Sequence, residues 1–271
     1  MKFVISLLIL TAVAAANPGP LGEGPGISAP ADQNGTDGYE ITVLNTFETP
    51  YTTQILGLDY NDGFNSLLLI SNAEDKLYDC SADDGTELNS YALDPANGSS
   101  FGMADGGTYA HVNDFDNTDV YFFNGSVWGT YTNPYNTDGR GMDFDGTYVW
   151  EAFGPYTATY GAACAFDQTG VLLGSWNLPG ITTQLSGLAV FDTRTDAIVI
   201  AVTAYWEHFI WFYEFSGSSM TLLGSAPLPV SADIYLSLGL CYSSERDTFF
   251  LSYKDNSSVF HISELQITET S

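Results

Sequence analysis

Basic residues are scarce. Only 6 Lys+Arg stand against 33 Asp+Glu in 271 residues, a formal net charge of −27. That shortage excludes a nucleic-acid partner, which needs cations to meet phosphate. It equally excludes docking on anionic lipid. Cysteine is nearly absent too, and three residues cannot build a disulfide scaffold. Cys80, Cys164 and Cys241 fall in separate strand-like segments, so buried free thiols are expected. No segment holds a sustained 3.6-residue apolar period, so no major helix is expected. Phosphate-loop, Ser-His-Asp and Cys-His signatures are all missing. His111, His208 and His261 lie far apart, without the close pairing that zinc ligands show.

What is abundant is glycine and aromatic carbon: 27 Gly, 17 Tyr, 17 Phe and 5 Trp, with hydrophobic residues at 45%. That composition is not an acidic disordered tail. The length suits one large domain or two small ones.

The chain opens with the layout of a secretory signal peptide over residues 1–16. Lys2 is the positive start, Phe3 to Val13 is apolar, and Ala14 to Ala16 are small. The run is too short to span a bilayer. A mature chain from Asn17 would carry −28, since Lys2 is the only charge removed. A second apolar stretch, Ile198 to Phe215, is broken by Glu207 and His208 and reads as a buried hairpin. The mature chain is therefore expected to lack a membrane span. It is expected to be secreted or cell-surface, or periplasmic in a Gram-negative host. Residues 17–39 are rich in Gly, Pro and small polar residues and read as a flexible leader.

Residues 40–268 are organised by a repeat. GLDYNDG from Gly57, GMADGG from Gly102, GMDFDG from Gly141, GLAVFD from Gly187 and GLCYSS from Gly239 are one element. Its spacings are 45, 39, 46 and 52 residues. A second element ends at Pro50, Pro95, Pro134, Pro179 and Pro229, 7 to 10 residues before each glycine. Proline stops a strand because it cannot donate to the next ladder. Two more short runs rich in β-branched and aromatic residues fill each interval, such as SLLLIS from Ser66 and KLYDCS from Lys76. Four strands per 40–50 residues spell an all-β fold, a five-bladed β-propeller of four-stranded blades. The copy ending at Pro50 has only a last strand, and the copy from Gly239 has only the first three. The N-terminal strand should complete the C-terminal blade and close the ring. The fourth and fifth copies lack the glycine that follows the aspartate, so their turns should differ.

The pattern clearest in GMDFDGTYVW from Gly141 resembles the repeat of secreted bacterial β-propellers of the NHL/YncE-like type. The resemblance covers about Ile41 to Ile267. It implies the fold and an extracytoplasmic binding or scaffold role. It implies no catalytic residues, because the shared positions are packing and turn positions.

In such a ring, the b–c and d–a connections share one face with the channel mouth. The b–c connections are NAEDK at Asn72, DFDNTD at Asp114, FGPYTATYG at Phe153, AYWEH at Ala204 and KDNSS at Lys254. With the d–a connections they place Tyr156, Tyr160, Tyr205, Trp206, Glu207, His208, Asp233 and Tyr235 on one rim, with Arg140 nearby. Rings beside carboxylates suit stacking on a sugar or gripping a peptide. The expected function is a non-catalytic binding or scaffold module for an extracellular protein or glycan. Self-assembly, with the leader docking on a neighbour, is one alternative. The other is a glycosidase-like hydrolase, which needs two converging carboxylates. Asp59, Asp143 and Glu151, placed to approach the channel on inner strands, are its candidates. No cofactor is predicted. Calcium is the one metal that the acidic runs Asp59–Gly63 and Asp114–Asp119 would suit, though neither has the spacing of a known calcium loop and such residues are ordinary in turns.

Overall fold

The computed structural model describes residues 39–49, 54–154, 160–192, 197–229 and 233–269. The proposed signal peptide and nearly all of the Gly/Pro leader lie outside them, as does Tyr156. Twenty strands form five antiparallel four-stranded sheets. In four of them the strands follow chain order. Blade 1 runs through β2 (Ile55–Asn61), β3 (Ser66–Ser71), β4 (Lys76–Ser81) and β5 (Glu87–Ala92). Blade 2 is β6 (Ser100–Asp105), β7 (Ala110–Asp114), β8 (Asp119–Phe123) and β9 (Trp128–Thr132). Blade 3 is β10 (Gly139–Phe144), β11 (Val149–Phe153), β12 (Gly161–Phe166) and β13 (Leu172–Leu178). Blade 4 is β14 (Leu185–Asp192), β15 (Ile198–Ala204), β16 (Glu207–Phe215) and β17 (Met220–Pro227).

Blade 5 breaks chain order. β18 (Ile234–Ser243), β19 (Thr248–Asp255) and β20 (Phe260–Glu269) are joined by β1 (Tyr39–Glu48), which pairs antiparallel with β20. The N-terminal strand does close the ring. An Arg246 latch reinforces the seam between blades 5 and 1. Its guanidinium bonds Asn65 and Asp83 of blade 1 and, at 3.1 Å, Glu264 of β20.

The five core clusters map one to each gap between neighbouring blades. Strand alternation explains this. Each twisted sheet presents apolar side chains on both faces, and each face meets the next blade. The inner strands are almost wholly buried, whereas the outer β1 alternates between partly buried and exposed positions.

The repeat glycines are contacts between inner strands, not turns. A Cβ on Gly57 would meet the Phe101 carbonyl at 2.6 Å, and one on Gly239 the Leu56 carbonyl at 2.9 Å. A Cβ on Gly102, Gly141 or Gly187 would press still closer on the backbone of Arg140, Leu188 or Leu240. Each glycine thus abuts the next blade, and the fifth abuts the first. Pairing skips at this point in every blade, a β-bulge at the glycine and the residue before it. The a–b turn of blade 5 has no glycine: Glu245 stands where blade 1 has Gly63 (φ 84°), and Asp247 takes a positive φ (54°) as Asn65 does (51°) in blade 1. The a–b turn of blade 4, expected to differ as well, lies largely outside the described residues.

Candidate functional site

The bulge in blade 3 places Arg140 at the channel mouth. Its guanidinium lies 4.3 Å from the Phe115 ring, 4.9 Å from Phe101 and 5.4 Å from Tyr205. Phe101 and Phe115 belong to blade 2, and Tyr205 to blade 4. Phe101 and Tyr205 meet edge-on at 5.9 Å, so blades 2 and 4 touch across the mouth. Asp138 completes the plug, accepting Arg140 Nη2 at 2.8 Å and Nε at 3.0 Å. Burial pushes the Asp138 carboxyl up to about 6, against the pull of Arg140. Arg140 is buried. Its cation faces rings and a carboxylate, not solvent.

The exposed rings stand beside this plug, over blades 4 and 5. Trp206 is 57% exposed and Tyr235 45%, and they meet edge-to-face at 5.7 Å. Lys254 Nζ lies 6.0 Å from the Tyr235 ring and 5.7 Å from Phe260. Asp233 marks the edge of this ledge and accepts Asn256 Nδ2 at 2.6 Å. Of the rim expected from sequence, Trp206, Asp233 and Tyr235 are brought together here. Tyr160 is exposed on the blade 3 connection. Tyr205 turns inward to the Arg140 cage.

Glu207 and His208 are not loop residues. β15 ends at Ala204 and β16 begins at Glu207, so the b–c connection of blade 4 is only Tyr205 and Trp206. Strand pairing reaches further because Ala204 pairs with Glu207 directly. Glu207 then spends both oxygens inside the blade, accepting Thr183 Oγ1 at 2.8 Å and Trp211 Nε1 at 3.1 Å. His208 remains exposed on the strand. Lys254 was passed over as a candidate, although a lysine is conspicuous in so acidic a chain.

The channel carboxyls have different work. Asp59 Oδ1 accepts the Tyr60 N–H at 2.7 Å, and Oδ2 accepts the Asp105 N–H of blade 2 at 2.6 Å. Asp143 repeats this with Phe144 at 2.6 Å and Val190 of blade 4 at 2.5 Å. Both are buried rivets between blades. Burial and the facing Asp143 carboxyl push Asp59 up, and burial pushes Asp143 up to about 7. Glu151 lies on the second strand of blade 3, not on the inner one. Its oxygens accept Asn113 Nδ2 at 2.6 Å and Asn133 Nδ2 at 2.5 Å. Burial with no cation beside it pushes Glu151 up to about 8. These three carboxyls have both oxygens engaged by the protein.

The acidic turns are similarly occupied. Asp114 accepts the N–H groups of Asp116 and Gly98 at 2.9 and 3.2 Å, and Asn117 accepts that of Asp119 at 2.6 Å. No group of three or more His, Cys, Asp or Glu among the described residues is placed to hold a metal ion. The three cysteines are free and buried. No helix among the described residues is long and apolar enough to cross a membrane.

No family profile and no curated protein matches the sequence. Solved structures do match the fold. The glutaminyl cyclase of Myxococcus xanthus is 13% identical, covers 86% of this chain and 98% of its own, and gives a TM-score of 0.66. The PQQ-bound aldose sugar dehydrogenase of Streptomyces coelicolor is 13% identical over 89% and 100%, with a TM-score of 0.56. A chain from a nidogen/laminin complex is 13% identical over 93% and 97%, with a TM-score of 0.54. Two are enzymes and one is part of a protein complex, so shared architecture does not choose a function. What the sheet order and these likenesses establish together is the architecture: a closed β-propeller, here of five blades.

Proposed function

We propose that this is a secreted, non-catalytic binding propeller of the NHL/YncE-like type, and that its ledge takes an extracellular glycan. The observation that carries this reading is the Trp206–Tyr235 pair. Two large rings, edge-to-face at 5.7 Å and about half exposed, stand where the fold gathers its loops. Such rings offer apolar area at little entropic cost and keep a polar tip for a hydroxyl. Lys254, Asp233 and Asn256 supply the polar groups that orient a ligand. The hydrolase alternative has one point in its favour: two buried carboxyls raised to about 7 and 8. Their engagement by backbone and amide donors weighs against it. A hydrolase needs carboxyls that reach a substrate.

The test is a glycan array probed with the mature protein and with Trp206→Ala/Tyr235→Ala. Binding to a subset of glycans is expected, weakened at least tenfold in the double variant, with unchanged thermal stability. Array-wide silence of the native protein, or equal binding by the variant, overturns the reading. Release of a reducing sugar from a bound glycan would revive the hydrolase.

A further inference from the structure

Charge is unevenly spread over the outer wall. The chain holds 33 acidic residues, yet nothing from Gln168 to Phe191 is charged. That stretch contains β13, the outermost strand of blade 3. β13 pairs with β12 on one side. No described strand pairs with its other side. Val171, Leu172 and Leu173 stand in a row there, 63%, 42% and 46% exposed. Proteins usually guard a free edge with charge or proline. The outer strands β5 and β1 do so with Glu87 and with Glu40 and Glu48. β13 has neither. Its one protective device is a bulge at Leu173, which leaves Gly174 to Leu178 in regular extension. Three consecutive exposed apolar residues are avoided on surfaces that have no use for them.

We infer that β13 is a dimerisation edge that pairs antiparallel with β13 of a second copy of this chain. Charge selects the occupant. Two copies at about −28 each repel one another over most of their surfaces. At physiological salt the screening length is about 8 Å, so the repulsion is decided by what lies close to the contact. The β13 edge is an uncharged approach. The nearest carboxylate along the chain is Asp167, which accepts the Val171 N–H at 2.9 Å at the start of the strand. A twofold antiparallel pairing puts the two Asp167 side chains at opposite ends of the joint ladder. Such a contact is isologous and closes at two copies. A basic partner would instead be drawn to the acidic turns. The leader is a poor competitor, since residues 17–38 carry four prolines and three carboxylates.

Sedimentation of the mature chain at physiological salt tests this. The native protein should reach the mass of two chains at tens of micromolar and associate more tightly as salt rises. Leu173→Glu should weaken association at least tenfold with an unchanged melting temperature. Val127→Glu, at a still more exposed site beside β9, should behave as native. A native protein that stays monomeric at all concentrations overturns the inference. So does an undiminished dimer in Leu173→Glu. Hydrogen exchange supplies the remaining arm: β13 amides protected only when residues 17–38 are present would give the edge to the leader.

Discussion

The protein should be more stable in mild acid than at pH 8, and Glu151 should be a main cause. Its carboxyl is fully buried, with two amide donors and no cation, and its pKa rises from the ordinary 4.5 to about 8. The fold therefore favours the protonated form. Stability from this group is complete below the unfolded value near 4.5 and is lost as pH climbs through about 8. Each pH unit in that window removes about 1.4 kcal/mol. Glu151 alone then costs of order 4 kcal/mol by pH 8, an upper figure because local relaxation and water entry soften burial. Asp143, raised to about 7, and Asp59, raised in the same direction, add to the slope. The assay is urea unfolding at pH 5, 6, 7 and 8. The native protein should lose stability steadily across the series. Glu151→Gln, which cannot ionise, should show a visibly flatter profile, and should lie below the native protein at pH 5 because its amide N–H2 faces the Nδ2 donor of Asn113 or Asn133. A native midpoint that rises from pH 5 to pH 8, or a Glu151→Gln profile as steep as the native one, refutes the reasoning.

Three other outcomes follow from the packing. Gly102→Ala drives a methyl into the Arg140 carbonyl of the next inner strand. It should cost about 1–3 kcal/mol or more in chemical unfolding, whereas Gly98→Ala, with nothing within 4 Å, should cost under about 1 kcal/mol. Arg246→Gln removes the latch between blades 5 and 1. A loss of about 1–2 kcal/mol is expected, because Glu264 and Thr248 are left as a half-satisfied buried pair. The melting temperature should rise between 20 mM and 500 mM NaCl as self-repulsion is screened; a flat or falling trend would count against that account.

The ring was legible because its punctuation is local chemistry. Proline ends each outer strand, and the half-repeats at the two ends announce the closure that β1 and β20 make. The glycine of each repeat was visible, but its purpose was not. GLDYNDG from Gly57 looks like turn chemistry, while Gly57 and Asp59 lie mid-strand and bind blade 2. A contact between residues 46 positions apart leaves no mark in a linear pattern. The rim was half legible. Trp206 lies in the connection where the loop arithmetic put it, whereas Tyr235 is already the second residue of β18. Glu207 and His208 do not lie in a connection, since one extra rung between β15 and β16 decides whether a residue is loop or strand. Tyr205 and Arg140 were named for their types, and only packing reveals that they satisfy one another. Glu151 was read as an inner-strand acid, whereas its burial depends on Asn113 and Asn133 from blade 2 and the following connection.

The way the ring closes also sets how the molecule is held. β1 begins at Tyr39 beside Glu269, the end of β20. Both strands reach that point on the face where the a–b turns lie, opposite the Trp206–Tyr235 ledge. A tether that continues the chain just beyond Glu269 attaches from behind. Immobilisation through a C-terminal tag should therefore leave the aromatic ledge facing away from the support.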